Sequence, residues 1–140
     1  MTIEDRLLSI LGRLRNIALG QNPLADSGVT GPQLALLDWF AASPGCGVQE
    51  IATGLGLTAP TVSVGVRRLE EAGLLERQPD PQDGRAIRLS LTARGQSLQE
   101  KAHAFRREKM RRVLAGLTTE EAETLLALLE RAIDSAEETR

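Results

Sequence analysis

Between Thr58 and Arg88 the chain gathers side chains that bind anions and polar edges, not side chains that make or break bonds. Arg67, Arg68, Arg77, Arg85 and Arg88 are permanently charged guanidinium groups, each with five donors in a fork that matches phosphate or carboxylate. Just ahead of them, Thr58, Pro60, Thr61, Ser63 and Val64 are small enough for close approach to a surface. That combination suits recognition of a polyanion: arginines on phosphates, short side chains on base edges. Bond-making chemistry finds no support. With one histidine and one cysteine there is no nucleophile–base pair, no triad and no zinc set. No phosphate-cradling glycine loop follows a strand. No enzyme activity, cofactor or metal is expected; His103 reads as a surface histidine, and Cys46 has neither a disulfide partner in the chain nor a basic cluster to lower its pKa for redox sensing.

The elements that must position these residues are legible. Thr58 is a good helix N-cap and Pro60 falls in the first turn, where a missing N–H costs little. Val62, Val66 and Leu69 recur at helical spacing and make a buried stripe. The opposite side carries Pro60, Val64 and Arg67, with Thr61, Ser63 and Arg68 on its flanks. Gly65 sits inside the helix, at a cost of about 1 kcal/mol relative to Ala, and close helix approach is a candidate reason. Gly73 ends the helix. Leu74 to Arg77 is a first strand, Pro79 to Gly84 a tip with an Asp-Gly hairpin signal, and Arg85 to Leu91 a second strand. In that second strand Ile87, Leu89 and Leu91 alternate with Arg88 and Ser90, the period of a half-buried strand.

Further out, Ile3, Leu7, Ile10, Leu11, Leu14 and Ile17 mark an amphipathic helix ending near Gly20, with a stripe broad for a helix that meets only its own chain. Gln21 to Gly31 reads as a polar connection. A second helix starts near Pro32, with Leu34, Leu37, Phe40 and Ala41 on one face. Val48, Ile51, Ala52 and Leu55 give a short third helix behind Gly47, and Gly54 to Leu57 is the tight turn into the helix capped by Thr58. After the strands, Thr92 caps a long helix to about Leu114, and Gly116 stops it. Thr118 and Glu121 form a capping box for a last helix with a seam at Leu125, Leu128, Leu129, Ala132, Ile133 and Ala136.

The whole chain has 140 residues and a net charge of −2. Its charge is uneven. Residues 95–117 carry six Lys/Arg against two Glu, and residues 118–140 two Arg against seven acids. Pairing of the basic run Arg106 to Arg112 with the acidic last helix is expected. A mildly acidic protein can still bind DNA through a local positive field. No long apolar run or signal-peptide pattern is present, so no membrane partner and a cytoplasmic location are expected.

Helix, tight turn, helix and hairpin together are a winged helix-turn-helix. The run from Pro32 to Gly95 resembles the MarR family of bacterial transcriptional regulators. The specific pieces are Thr61-Val62-Ser63, the Leu69 to Arg77 entry into the wing, Asp83-Gly84-Arg85 at its tip, and Arg88 to Gly95. The resemblance implies a mainly α fold with a small β-hairpin wing: an N-terminal dimerisation helix and connection over residues 1–29, a winged helix-turn-helix DNA-binding domain over 30–91, and C-terminal dimerisation helices over 92–140. It implies a homodimer that places two recognition helices in successive major grooves of near-palindromic double-stranded DNA. It implies a repressor whose hold on DNA is tuned by a small aromatic or amphipathic effector.

Residue by residue, Thr58, Pro60, Thr61, Ser63 and Val64 would face the groove. Many members carry a basic residue directly after the serine, where this chain has Val64, suited to a thymine methyl. Arg67 and Arg68 would meet phosphate or base edges. Arg85 would read the minor groove, oriented by Asp83. Arg77 and Arg88 would touch phosphate. The acidic balance and Val64 leave a rival open, a winged-helix module for protein–protein contact with weak or no specific DNA binding.

Overall fold

A computed structural model describes residues 1–85 and 87–139. Ala86, inside the expected second strand, and Arg140, at the end of the expected C-terminal region, lie outside the described residues. Among the described residues the order is α1 (Ile3–Leu19), α2 (Gly31–Ala42), α3 (Val48–Leu55), α4 (Ala59–Glu71), β1 (Leu75–Pro79), β2 (Ile87–Leu91), α5 (Ala93–Leu114) and α6 (Thr119–Glu138). This is the expected mainly α fold with a small antiparallel hairpin. No described helix is long and apolar enough to cross a membrane. The chain divides into two units, Leu19–Phe105, and Met1–Ala18 together with Arg106–Arg140.

The first of these units holds the core: Leu24, Val29, Leu34, Leu36, Leu37, Phe40, Ile51, Ala52, Val62, Val66, Leu69, Leu74, Leu75 and Ala102. The stripe read for α4 is the buried one. The expected polar connection needs correction, because Leu24 and Val29 are core residues flanking a 3-10 turn at Ala25–Ser27. Asn22 makes that possible. Its Nδ2 donates to the Val29 carbonyl at 2.7 Å and its Oδ1 accepts the Leu24 N–H at 3.0 Å, so a tight loop buries two apolar side chains without orphaning backbone groups. A capping box of Thr30 and Gln33, unforeseen from the sequence, then starts α2.

Ala41 is exposed, and Leu36 is buried in its place. The reason is the approach of α2 to α4. A Cβ on Gly65 would lie 2.6 Å from the Leu36 Cδ1, so Leu36 packs where α4 has no side chain. Close helix approach is therefore the reason for a glycine inside this helix.

In the second unit, α1 and α6 bury no residue. Their ends are nonetheless well made. Thr2 Oγ1 accepts the Asp5 N–H, and Asp5 Oδ2 accepts the Thr2 N–H. Thr118 and Glu121 form the expected capping box. Leu7, Ile10 and Leu11 on α1 and Leu125, Leu128 and Ile133 on α6 stay exposed. The expected pairing of the basic run with α6 is corrected for two of its members. Arg111 and Arg112 both pair with Glu108 of their own helix, at 2.7 Å and 3.7 Å, because residues three and four apart on a helix are neighbours.

Candidate nucleic-acid interface

Helix α4 begins as its residue types require. Thr58 Oγ1 accepts the Thr61 N–H at 3.3 Å, and the two threonine hydroxyls share a 2.8 Å hydrogen bond. Pro60 occupies the first turn. With Val62, Val66 and Leu69 buried, the side chains of Pro60, Thr61, Ser63, Val64, Arg67 and Arg68 are left in the open. Val64 is 43% exposed, an apolar group on an otherwise polar face.

The end of α4 is tied to the start of α5. The Thr92 hydroxyl donates to the Gly73 carbonyl at 2.6 Å and accepts the Gly95 N–H at 3.1 Å. Arg94 donates to the Ala72 carbonyl at 3.1 Å. Two carbonyls at the end of α4, which its own ladder cannot satisfy, are thereby met. Thr92 was expected to cap α5; its second bond and the role of Arg94 were not. Their signal is long-range and absent from local pattern.

The wing pairs Leu75 with Leu91 at its base and Pro79 with Ile87 at its far end. β1 runs two residues past the expected Arg77, to Pro79, which a terminal position in a two-stranded ribbon tolerates. Leu89 and Leu91 pack on the core as expected, but Ile87 is 67% exposed. It belongs to the outermost pair, where the alternation continues past the body that would cover it. At the tip, Asp80 Oδ1 accepts the Gln82 N–H at 2.8 Å, and Asp83 Oδ1 accepts the Arg85 N–H at 3.1 Å. These are two successive Asx turns. The spacing of Asp80 and Asp83 is the sequence signal for both turns. Asp83 thus holds the Arg85 backbone.

The five arginines divide. Arg67, Arg68 and Arg85 are exposed and make no ion pair among the described residues. Arg77 instead forms a bidentate pair with Glu70 of α4, at 2.9 Å and 3.0 Å, which holds its guanidinium above the ordinary range through the Glu70 hydrogen bonds. Arg88 is half-buried, and its Nε, Cδ and Cγ lie over Gly45, between α2 and α3. Both therefore brace the wing, Arg77 against α4 and Arg88 against the loop before α3.

Cys46 is half-buried; burial, then the Glu50 carboxylate, push its thiol upward. His103 is exposed on α5. No group of three or more His, Cys, Asp or Glu placed to hold a metal ion occurs among the described residues.

The model of the MarR family matches residues 27–86. The chain is 33% identical over 108 residues to the HTH-type transcriptional repressor Rv2887 of Mycobacterium tuberculosis, spanning 77% of this chain and 78% of that protein. The structure of Rv2887 with salicylic acid superposes with a TM-score of 0.69 at 30% identity, covering 94% of this chain and 96% of the other. A MepR variant from S. aureus bound to an oligodeoxyribonucleotide superposes with a TM-score of 0.61 at 28% identity, covering 97% and 99%.

Proposed function

The chain belongs to the MarR family of transcriptional regulators, and from that premise we propose that it is a homodimeric repressor that binds near-palindromic operators. The observation that carries this reading is the set of exposed, unpaired arginines on α4 and at the wing tip. Arg67 and Arg68 on α4 and Arg85 at the wing tip stand exposed with no ion pair among the described residues. A helix face in the major groove and a wing in the adjacent minor groove give each a distinct target. Thr61, Ser63 and Val64 contact base edges, with Val64 against a thymine methyl. Thr58 and Pro60 bring the helix start to the backbone. Arg77 and Arg88 add positive field beside the phosphates while bracing the wing, and Asp83 fixes the turn that presents Arg85.

The exposed apolar faces of α1 and α6 support self-association as a dimer. Two copies would span half-sites about one helical turn apart. A regulator of this kind works where the chromosome is, in the cytoplasm. The salicylic acid bound to Rv2887 supports a small aromatic carboxylate as effector.

Selection from a random duplex pool, followed by affinity against salt, tests the reading. A palindromic consensus and a steep negative salt slope are expected. Arg85→Ala should weaken the selected duplex by about 1–3 kcal/mol with the dimer intact. An unchanged affinity in that variant, or no enriched sequence, would leave the winged unit as a protein–protein module.

A further inference from the structure

We propose that Glu70 is a positioning residue for DNA binding: its carboxylate, itself repelled by DNA, ties the wing to α4 through Arg77 and so sets where Arg85 falls. This rests on the DNA-binding reading above and adds to it a residue that makes no DNA contact. A two-stranded hairpin is marginal on its own, so the wing needs support from the body. Its base has that support. Leu75 is buried, Leu89 and Leu91 pack on the core, and the Thr92 hydroxyl donates to the Gly73 carbonyl. Its far end does not. Pro79 and Ile87, the outermost pair, are both exposed, and the turn that presents Arg85 lies beyond them.

Arg77 sits midway along the hairpin, opposite Leu89 and two residues, or roughly 7 Å, from either end. Directly opposed residues share a face, so Arg77 leaves the strand on the side by which Leu89 packs on the core. There its Nε and Nη2 donate to Oε2 and Oε1 of Glu70, at 2.9 Å and 3.0 Å. Two parallel bonds to one carboxylate fix an angle as well as a distance. Arg88 steadies the wing against the loop before α3; the Arg77–Glu70 pair ties it to the helix that carries Arg67 and Arg68. The pair is open to solvent, and an exposed ion pair adds little to stability. Its consequence is geometric: it keeps the wing tip and the outer face of α4 at one spacing, so that both reach DNA together.

The test measures binding of the full chain to the selected duplex. Glu70→Gln keeps the shape and the helix propensity of the side chain but loses its charge and one of its two acceptor oxygens. A carboxylate that acted through its charge alone would, once removed from beside a polyanion, leave tighter binding. Positioning predicts the opposite sign: affinity about three- to fivefold weaker, with Tm nearly unchanged. Exchanging the partners, Glu70→Arg with Arg77→Glu, should restore affinity to within about twofold of the unaltered chain. In an Arg85→Ala background, Glu70→Gln should bring no further loss, because the side chain it positions is gone. In the free protein the Arg77 Nε–H should exchange more slowly than those of Arg67 and Arg68, and should lose that protection in Glu70→Gln. Unchanged or tighter binding in Glu70→Gln would overturn the proposal, as would full additivity with Arg85→Ala or an exchanged pair that does not rescue. Each of those leaves the DNA reading standing. No selected duplex for the unaltered chain would overturn both, so the two failures are distinguishable.

Discussion

The Leu19–Phe105 unit and the unit made by Met1–Ala18 with Arg106–Arg140 are built from equally regular helices, yet they solve burial in opposite ways. Among the described residues, every one of the apolar core lies in the first, from Leu24 to Ala102. In the second, α1 and α6 carry stripes just as periodic and bury none of them. Periodicity makes a face; only a partner makes a core. The winged unit finds its partner inside one chain, where α2, α3, α4 and the hairpin enclose Phe40, Ile51 and Leu69. The terminal helices leave the same type of surface exposed, the face that the proposed dimer would bury.

The comparison can be broken most severely in the winged unit. Phe40→Ala should cost about 3–5 kcal/mol of stability, because it removes one of the largest fully buried side chains of the unit's core. Thermal unfolding reads this directly, and a small loss would mean that the unit depends on packing from elsewhere. Leu128→Asp on α6 should leave the winged unit folded and weaken self-association by about 2 kcal/mol or more. Sedimentation at falling protein concentration separates the two. A mass that does not change would show that the apolar terminal faces are not the interface.

The smallest effect sharpens the contrast through the starts of α1, α6 and α2. Glu121 in α6 has its carboxyl held below its ordinary 4.5 by the Thr118 backbone N–H, then by the Thr118 hydroxyl. Asp5 in α1 is held below 3.8 in the same way by Thr2. A carboxyl lowered in the folded state stabilises fully above its ordinary value, and that contribution is lost as pH falls through the lowered folded value. The start of α6 should therefore fray on acidification below about pH 4.5, and that of α1 below about 3.8. The α2 box uses Gln33, which does not titrate, and should be indifferent. Amide exchange at Glu121 and at Gln33 across that range tests this; equal responses would remove the carboxylates as its cause.

Much of the winged unit was legible in advance, and the rest depended on contacts that local pattern does not encode. The stripe Val62, Val66, Leu69, the cap at Thr58 and the turn at Asp83-Gly84 are local signals, set by helix geometry and turn chemistry. Leu24 and Val29 were missed because Asn22 allows a polar-looking loop to reach the core. Ile87 was placed on the covered side because alternation does not say where the body beneath a strand stops. For the candidate site, residue type and exposure on α4 came from the sequence. The division of the five arginines did not, since Glu70 lies seven residues from Arg77 and Gly45 far from Arg88.

Residue order by itself determined the element types, the helix starts at Thr58, Thr92 and Thr118, and which face of α4 turns inward. These depend on interactions within about one turn of helix or one hairpin. Tertiary structure alone decided that Gly65 admits Leu36, and that Arg77 and Arg88 brace the wing while Arg67, Arg68 and Arg85 stay free. Each of these is a meeting of side chains from elements that the chain brings together only on folding, and no local preference encodes which groups will meet.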